Sequence, residues 1–453
     1  MNDHREPAAG SRLYLVVICL VAALGGLLFG FDTAVISGAV GFLQAEFHLS
    51  AALKGWVASS ALVGCFFGAL AAGALSDRFG RRRVMLLAAV FFTVSAVWCG
   101  LSGSAVELVL ARLVGGLGIG IASLISPLYI AEVSPARIRG RLVALQQLAI
   151  VLGILGAFWS NSFILDTLLS DGAKWRWMFA VGAFPAVVFW MLILAVPESP
   201  RWLCKQGASD TARVVLVRVA GVTEAEAELG RIRDALALEG GSFSDLLRPG
   251  MRRALAIGVT LAVLTQVTGI NAIMYYAPEI FKQAGAAAST AYNDTVWIGL
   301  TNLVFTLISM AVVDRLGRKP LLLIGATAMG LALLGVGYAF HTRATGHALL
   351  LGVVAYVASF ALSMGVVGWV VISEIYPTRT RGRAMAVATS AVWAACYVVS
   401  QTFPILVEEI GSAATFWSYG AMCVVAIVFV ARFVPETKGR SLEDIERSWH
   451  TQS

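Results

Sequence analysis

Charge is what this sequence has least of. Only 13% of its 453 residues are Asp, Glu, Lys or Arg, about half the share of an ordinary soluble domain. That is too little to cover a water-facing surface, so the solvent of this chain is largely lipid. Disordered segments and cytosolic enzymes are excluded on the same ground. The six cysteines (Cys19, Cys65, Cys99, Cys204, Cys396 and Cys423) are scattered, with no metal or redox spacing, which excludes a disulfide scaffold and leaves small packing residues. Histidine is rarer still, with five in the chain and none clearly inside an apolar run, so no histidine proton relay is expected. No nucleophile–base pair and no metal-ligand cluster stands out, and neither an enzyme nor a cofactor is expected.

Apolar residues fill the space that charge leaves. They make up 58% of the chain, and mean hydropathy is +0.80. A helix needs about 20 mostly apolar residues to cross the hydrocarbon core. Twelve such runs can be read, at 13–40, 53–75, 84–102, 107–131, 142–163, 177–196, 254–281, 295–313, 320–340, 348–373, 384–407 and 413–433. They are too long for strands and too uniformly apolar for a barrel. The first is too long for a signal-peptide core and contains Asp32, so it is read as a retained helix. With the N-terminus inside, the cytoplasmic segments hold 28 of the 34 Lys and Arg, as the positive-inside rule requires. The net charge of +7 is thus an orientation signal, with both termini cytoplasmic and no nucleic-acid partner implied. Trp175 and Trp177, at an outer helix end, are expected to anchor at the interface.

The chain also repeats itself. Asp77-Arg78-Phe79-Gly80-Arg81-Arg82 returns as Asp314-Arg315-Leu316-Gly317-Arg318-Lys319, 237 positions later. Glu132, Pro135, Arg137, Arg139, Gly140 and Arg141 return as Glu374, Pro377, Arg379, Arg381, Gly382 and Arg383, at an offset of 242. Pro197-Glu198-Ser199 is echoed by Pro435-Glu436-Thr437. Each motif and its echo fall on one side of the membrane, so the halves are parallel repeats. The expected organisation is a six-helix bundle over 1–196, a cytoplasmic linker over 197–253, a second bundle over 254–433 and a cytoplasmic tail over 434–453. Within the linker, Leu229, Ile232 and Leu236 share one face, so short amphipathic helices are expected there.

These motifs, with Glu198-Ser199-Pro200-Arg201 and Pro435-Glu436-Thr437-Lys438-Gly439-Arg440, resemble the sugar porter family of the major facilitator superfamily. The likeness runs from about Leu24 to Ile445. It implies an all-α membrane protein with the major facilitator fold: twelve transmembrane helices in two parallel six-helix repeats, each of two inverted three-helix units. It also implies a cytoplasmic gate network of Asp77, Arg78, Arg81, Glu132, Arg139, Glu198, Arg201, Asp314, Arg318, Glu374, Arg381 and Glu436. Its carboxylates would pair with arginines across the two halves when the cytoplasmic side closes. The plainer reading, solvated charges that only set topology, explains the arginines but not the carboxylates that recur beside them. Exposed pairs contribute about 0–1 kcal/mol each, so only a network could bias two states.

Charges inside spans are expensive and usually functional. They are Asp32 in the first span and Arg112 in the fourth, with Glu279 at a helix end. Asp32 shares a helix face with Gly25 and Phe29, and Arg112 with Gly116 and Gly120. Small-residue faces meet other helices rather than lipid. Burial favours a protonated carboxyl and a neighbouring arginine favours an ionised one, the opposition a proton switch needs. A permanent structural salt bridge is the alternative. Proton-coupled sugar porters carry an aspartate and an arginine at matching positions, so the resemblance favours coupling.

A sugar needs amide side chains for its hydroxyls and an aromatic face for its C–H surface. The residues offer Gln147, Gln266, Asn271 and Asn302, with Trp369 as platform. Gln266 lies about 140° from Asn271 on an ideal helix, so the two converge only if the seventh span unwinds near Gly269. Gln147, Gln266, Asn271, Tyr275, Asn302 and Trp369 match sugar-contact positions of the family, and Phe29 and Trp393 are placed in the same cavity. Three residues depart from its pattern. Thr265 stands where relatives carry a second glutamine, Val366 where they carry a proline, so that the bend in span ten rests on Gly365 and Gly368, and Val392 is apolar where some are polar. The expected function is import of a monosaccharide, hexose or pentose, with a proton, across the plasma membrane, by a monomer in the bilayer. The rivals are an uncoupled sugar facilitator, a proton-driven drug antiporter and a sugar sensor. The amide set argues against the second, and the short stretch after the last span does not match the long signalling tail of the third.

Overall fold

A computed structural model describes residues 10–167, 170–237, 246, 251–344, 347–376 and 380–438. Among these no strand forms. Five long helices come first: α1 (Arg12–Phe47), α2 (Ala51–Phe79), α3 (Arg81–Leu101), α4 (Ala105–Val133) and α5 (Arg139–Thr167). A sixth crossing is split into α6 (Asp171–Ala180) and α7 (Ala183–Ile193). Three short helices follow: α8 (Pro200–Lys205), α9 (Ser209–Ala220) and α10 (Val222–Ala237). The second series is α11 (Met251–Val267) with α12 (Ile270–Gln283), α13 (Ala288–Leu316), α14 (Arg318–His341), α15 (His347–Leu362) with α16 (Val367–Glu374), and α17 (Arg381–Phe433). Among the described residues, eleven stretches are long and apolar enough to cross a membrane. The last has 53 residues and breaks at Gly411 (φ 80°), so it holds two crossings and the total is twelve. Helix ends overshoot the apolar runs. The first continues to Phe47, where His48 takes a left-handed conformation and closes it, because a helix persists beyond hydrocarbon until a cap stops it.

The repeat in sequence is a repeat in packing. Helix α1 lies along α5 as α11 lies along α17, and α2 lies along α4 as α13 lies along α15. The α2–α4 crossing depends on glycine. A Cβ at Gly116 would stand 1.9 Å from the Ala61 carbonyl oxygen, and one at Gly64 2.2 Å from that of Leu113. Without such residues the backbones could not approach. Large apolar side chains such as Leu101, Phe184 and Leu331 face outward, which suits lipid. Trp175 does not, contrary to expectation. It is fully buried and donates to Glu46 Oε2 at 2.6 Å, because the helix turns its indole N–H toward a carboxylate; Trp177 alone stays exposed.

The short helices form a small core of their own from Leu203, Leu216, Leu229 and Ile232, with Leu236 packed against it. They are fastened to the first six crossings. Ser11 N–H donates to the Arg218 carbonyl (3.0 Å), Arg218 lies over the Tyr14 ring, Lys205 meets Asp77 (3.1 Å) and Arg139 meets Glu228 (2.8 Å). This end of the molecule is here called the connector face. At the opposite, far face the two series of crossings are joined directly. Lys54 pairs with Glu279 (3.3 Å), Ser59 donates to Gln401 Oε1 (3.0 Å), Ser162 to Asn293 Oδ1 (2.8 Å) and Tyr292 to the Gly38 carbonyl. The halves are thus closed together at the far face. Linker residues 238–245 and 247–250, Pro377 and Arg379 of the second-half motif, and the tail from 439, with Gly439 and Arg440, lie outside the described residues.

Candidate functional site

The site is built where helices stop. The chain between α11 and α12 breaks at Thr268–Gly269, and Gly269 sits at φ 101°, a conformation that favours glycine. The break removes the angular separation between Gln266 and Asn271. Asn271 Nδ2 now donates to Gln266 Oε1, and Gln266 Nε2 donates to Thr265 Oγ1 at 3.0 Å. Span ten is interrupted as well, at 363–366. There Gly365 N–H reaches back to the Phe360 carbonyl (2.9 Å) and Val367 N–H to that of Ser363 (2.7 Å), so the bend forms without a proline. It places Trp369 in the first turn of α16, half-buried. Phe29 of α1 and Trp393 of α17 meet across the halves with ring centroids 5.5 Å apart, and the buried Trp393 indole N–H has no partner among the described residues. Gln147 on α5 and Asn302 on α13 make no hydrogen bond to described residues, so their amides are unspent. Tyr275 is different. It is buried, with its hydroxyl beside the Cys396 thiol, and forms wall rather than open surface.

In the first half, Arg112 Nη1 stands 3.7 Å from Asp32 Oδ1, too far for a good hydrogen bond. The arginine is enclosed, its side chain 1% exposed, while that of Asp32 is 18% exposed. Its other contacts are long: 3.4 Å to the Asp32 carbonyl, 3.4 Å to that of Ala58, and the Phe179 ring at 5.7 Å. Asp32 Oδ2 and Arg112 Nε find no hydrogen-bond partner among the described residues. A carboxylate left half-bonded beside a buried cation can take up a proton without breaking a tight bond.

A family of sugar (and other) transporters matches residues 18–449 of this chain. The chain belongs to that family. Among the relatives of this sugar porter is the arabinose-proton symporter of Bacillus subtilis, 41% identical over 441 residues, covering 96% of this chain and 95% of the relative. The D-xylose-proton symporter of Escherichia coli is 42% identical, covering 97% and 96%. A solved structure of the xylose transporter XylE from Escherichia coli, in a partially occluded inward open conformation, superposes with a TM-score of 0.86 at 40% identity, covering 95% of this chain and all of that one. The fold is therefore that of the major facilitator superfamily, in a multi-pass membrane transporter.

The motif charges of this sugar porter assemble twice at the connector face. Arg81 holds Glu132 through two bonds (Nε to Oε2 and Nη2 to Oε1, both 2.9 Å) and also meets Asp77 at 3.2 Å. Arg318 holds Glu374 likewise (3.3 and 3.0 Å) and meets Asp314 at 3.0 Å. Ser199 and Thr437 each donate to the glutamate of their own set. Arg139 donates to the Ser134 carbonyl and Arg381 to that of Tyr376, again in parallel. Arg78 lies over the Phe79 ring, and Arg201 sits in α8. These bonds lie within one half or reach the connector, and none of them pairs the two halves, the pairing expected for a closed connector face.

Glu198 and Glu436 depart from their expected role as arginine partners. Glu198 accepts from the backbone N–H groups of Arg81, Arg82 and Ser199, and Glu436 from those of Arg318, Lys319 and Lys438. Each caps the start of α3 or α14, where unpaired N–H groups attract an anion. Sequence reasoning also passed over Gln146. It is buried against Gly26, next to the Gln147 that was singled out, and neither amide atom has a partner among the described residues. The doubled glutamine was the only signal. The far-face pair Lys54–Glu279 was missed because its members lie 225 positions apart.

Proposed function

We propose that this chain is a sugar:proton symporter that carries a monosaccharide, a hexose or pentose, by alternating access. The observation that carries the sugar reading is the joining of Gln266 and Asn271 at the break after α11. There two amides are presented together, with Trp369 and the Phe29–Trp393 pair from neighbouring spans. An amide pair offers the matched donor and acceptor that adjacent hydroxyls need, and the rings offer a face for C–H bonds. Relatives at about 40% identity carry arabinose or D-xylose with a proton, which supports the same chemistry here. Gln147 and Asn302 complete the proposed sugar surface, with Tyr275, expected there from sequence, forming the wall behind it.

Asp32 is the proton's seat in this reading, and Arg112 the cation that sets when it binds. Protonation weakens an already loose pair, and α1 and α4 are freed to shift as the halves rock. The excess of Lys and Arg on the connector side supports a cytoplasmic connector face, both termini inside, in the plasma membrane. The molecule is then closed to the outside and faces the cytoplasm. The Arg81–Glu132 and Arg318–Glu374 sets, with Asp77, Arg78, Arg139, Glu198, Arg201, Asp314, Arg381 and Glu436, form the inner gate. The halves, 1–196 and 254–433, move about the site while the linker stays with the first. One chain holds the whole path, so the monomer is the working unit. At a membrane potential of 100 mV, one co-transported charge supplies about 2.3 kcal/mol, or nearly fiftyfold accumulation.

Binding of D-xylose, L-arabinose, D-glucose, D-galactose and fructose to purified protein tests the sugar reading. Saturable binding of at least one is expected; competition by lipophilic cations with no sugar effect would replace it with drug transport. Sugar-induced alkalinisation outside inward-facing vesicles separates symport from a facilitator, which would give none.

A further inference from the structure

The broken span α11–α12 leaves backbone carbonyls that a continuous helix would have satisfied. In lipid such groups need a protein partner. The Gln266 carbonyl takes Gly269 N–H at 2.9 Å, and that of Thr265 takes the Thr268 hydroxyl at 3.3 Å. The Thr268 carbonyl has no such local donor. It accepts instead from the Tyr356 hydroxyl of α15, at 2.9 Å, and both residues are fully buried. On the other side of the break the Tyr419 ring fills the place where a Cβ at Gly269 would sit, 2.8 Å away.

Tyr356 belongs to span ten, which is itself interrupted seven residues later, at 363–366. Beyond that interruption Gly368, next to Trp369, packs against the Thr265 methyl, 3.2 Å from where a Cβ would stand. Span ten therefore touches the break in span seven twice, once on each side of its own. One contact adjoins the aromatic platform Trp369, and the other fixes the turn that joins Gln266 to Asn271.

We propose that the Tyr356 hydroxyl is a positioning residue for the sugar site: it anchors the Thr268 carbonyl, bolts the two discontinuous spans together and so holds Gln266 and Asn271 in register with Trp369. This rests on the sugar reading above and names the residue that presets its geometry. Tyr356 itself touches no sugar. Replacing it with phenylalanine removes one oxygen, keeps the ring and leaves the Thr268 carbonyl buried without a donor. An unmet buried carbonyl favours conformers in which the break frays open and its backbone N–H groups lose their partners.

The test uses the full-length protein in liposomes, with Tyr356→Phe beside the lipid-facing control Tyr338→Phe. Backbone hydrogen exchange over 266–272, followed by mass spectrometry without sugar, should be about tenfold faster in Y356F. The KM for D-xylose exchange should rise roughly five- to tenfold, with maximal rate changed less than about twofold. A merely structural tyrosine would lower the amount of folded protein and leave KM alone. Unchanged exchange over 266–272 overturns the proposal whether or not D-xylose is carried, and faster exchange with unchanged KM overturns the positioning role. Failure of the wild type to carry any sugar would count against the sugar reading, while the exchange arm still decides whether Tyr356 holds the break.

Discussion

Two of the arginine–carboxylate pairs in the first half, Arg81–Glu132 and Arg112–Asp32, are built differently. Arg81 and Glu132 form a forked pair at 2.9 Å, with side chains 7% and 6% exposed, and Asp77, Ser199 and the Ser76 carbonyl take up further capacity. Arg112 and Asp32 stand 3.7 Å apart, with one oxygen and one nitrogen left over. A saturated pair resists protonation and rearrangement, because every bond lost must be found elsewhere. A loose one loses little on gaining a proton. The first arrangement suits a gate element that moves as a unit, and the second suits a switch.

The contrast makes testable claims about stability. The largest effect should come from Arg81→Ala, which leaves Glu132 buried without its cation. A loss of about 3–5 kcal/mol is expected, read as a large fall in melting temperature in detergent. The echo, Arg318→Ala, should cost less, about 1–3 kcal/mol, because Arg318 and Glu374 are 12% and 27% exposed and water can replace the lost partner. Equal losses would mean that burial does not separate the repeats. Asp32→Asn should cost clearly less than Arg81→Ala. Only a 3.7 Å contact is lost and the amide oxygen can still accept from Arg112, so with that cation left buried beside a neutral group a loss of about 1–2 kcal/mol is expected. A fall comparable to that of Arg81→Ala would show that Asp32–Arg112 is a structural bridge after all.

The smallest effect is a difference in pH response between the two capping glutamates. Burial pushes Glu198 above the ordinary value of 4.5, and its backbone donors from Ser199, Arg82 and Arg81 offset this only in part. Burial also acts on Glu436, but more weakly, and the N–H groups of Lys438, Arg318 and Lys319 hold it below 4.5. Glu198 therefore contributes stability that is complete below pH 4.5 and lost as pH rises through its higher folded value. Glu436 contributes stability that is complete above pH 4.5 and lost as pH falls through its lower one. Comparing melting of Glu198→Gln and Glu436→Gln with wild type across pH 3–7 checks this. The gap between wild type and E198Q should narrow with rising pH, and that for E436Q should widen. Gaps that move together would contradict the assignment.

Much of this was legible beforehand, for identifiable reasons. Length and hydropathy are enough to count crossings, because lipid imposes one requirement on every span. The break at Thr268–Gly269 could be anticipated, since Gln266 and Asn271 could not otherwise meet and a glycine stood between them. The duplicated motifs predicted duplicated clusters, and Arg81–Glu132 and Arg318–Glu374 are the same bond made twice. What was not legible depends on where helices end in space. Glu198 and Glu436 were read as arginine partners because charge is visible in sequence, whereas the N–H groups they cap become available only when α3 and α14 start beside them. Trp175 passed for an interfacial anchor until the turn of α6 brought it to Glu46. Lys54 and Glu279 could not be paired without knowing that α2 and α12 close on each other.

Everything proposed for coupling rests on the loose Asp32–Arg112 pair. Asp32→Asn in energised liposomes, assayed for both uphill accumulation and sugar exchange, tests it most directly. Accumulation should be abolished while sugar exchange persists; accumulation at the wild-type level would mean that Asp32 does not carry the proton.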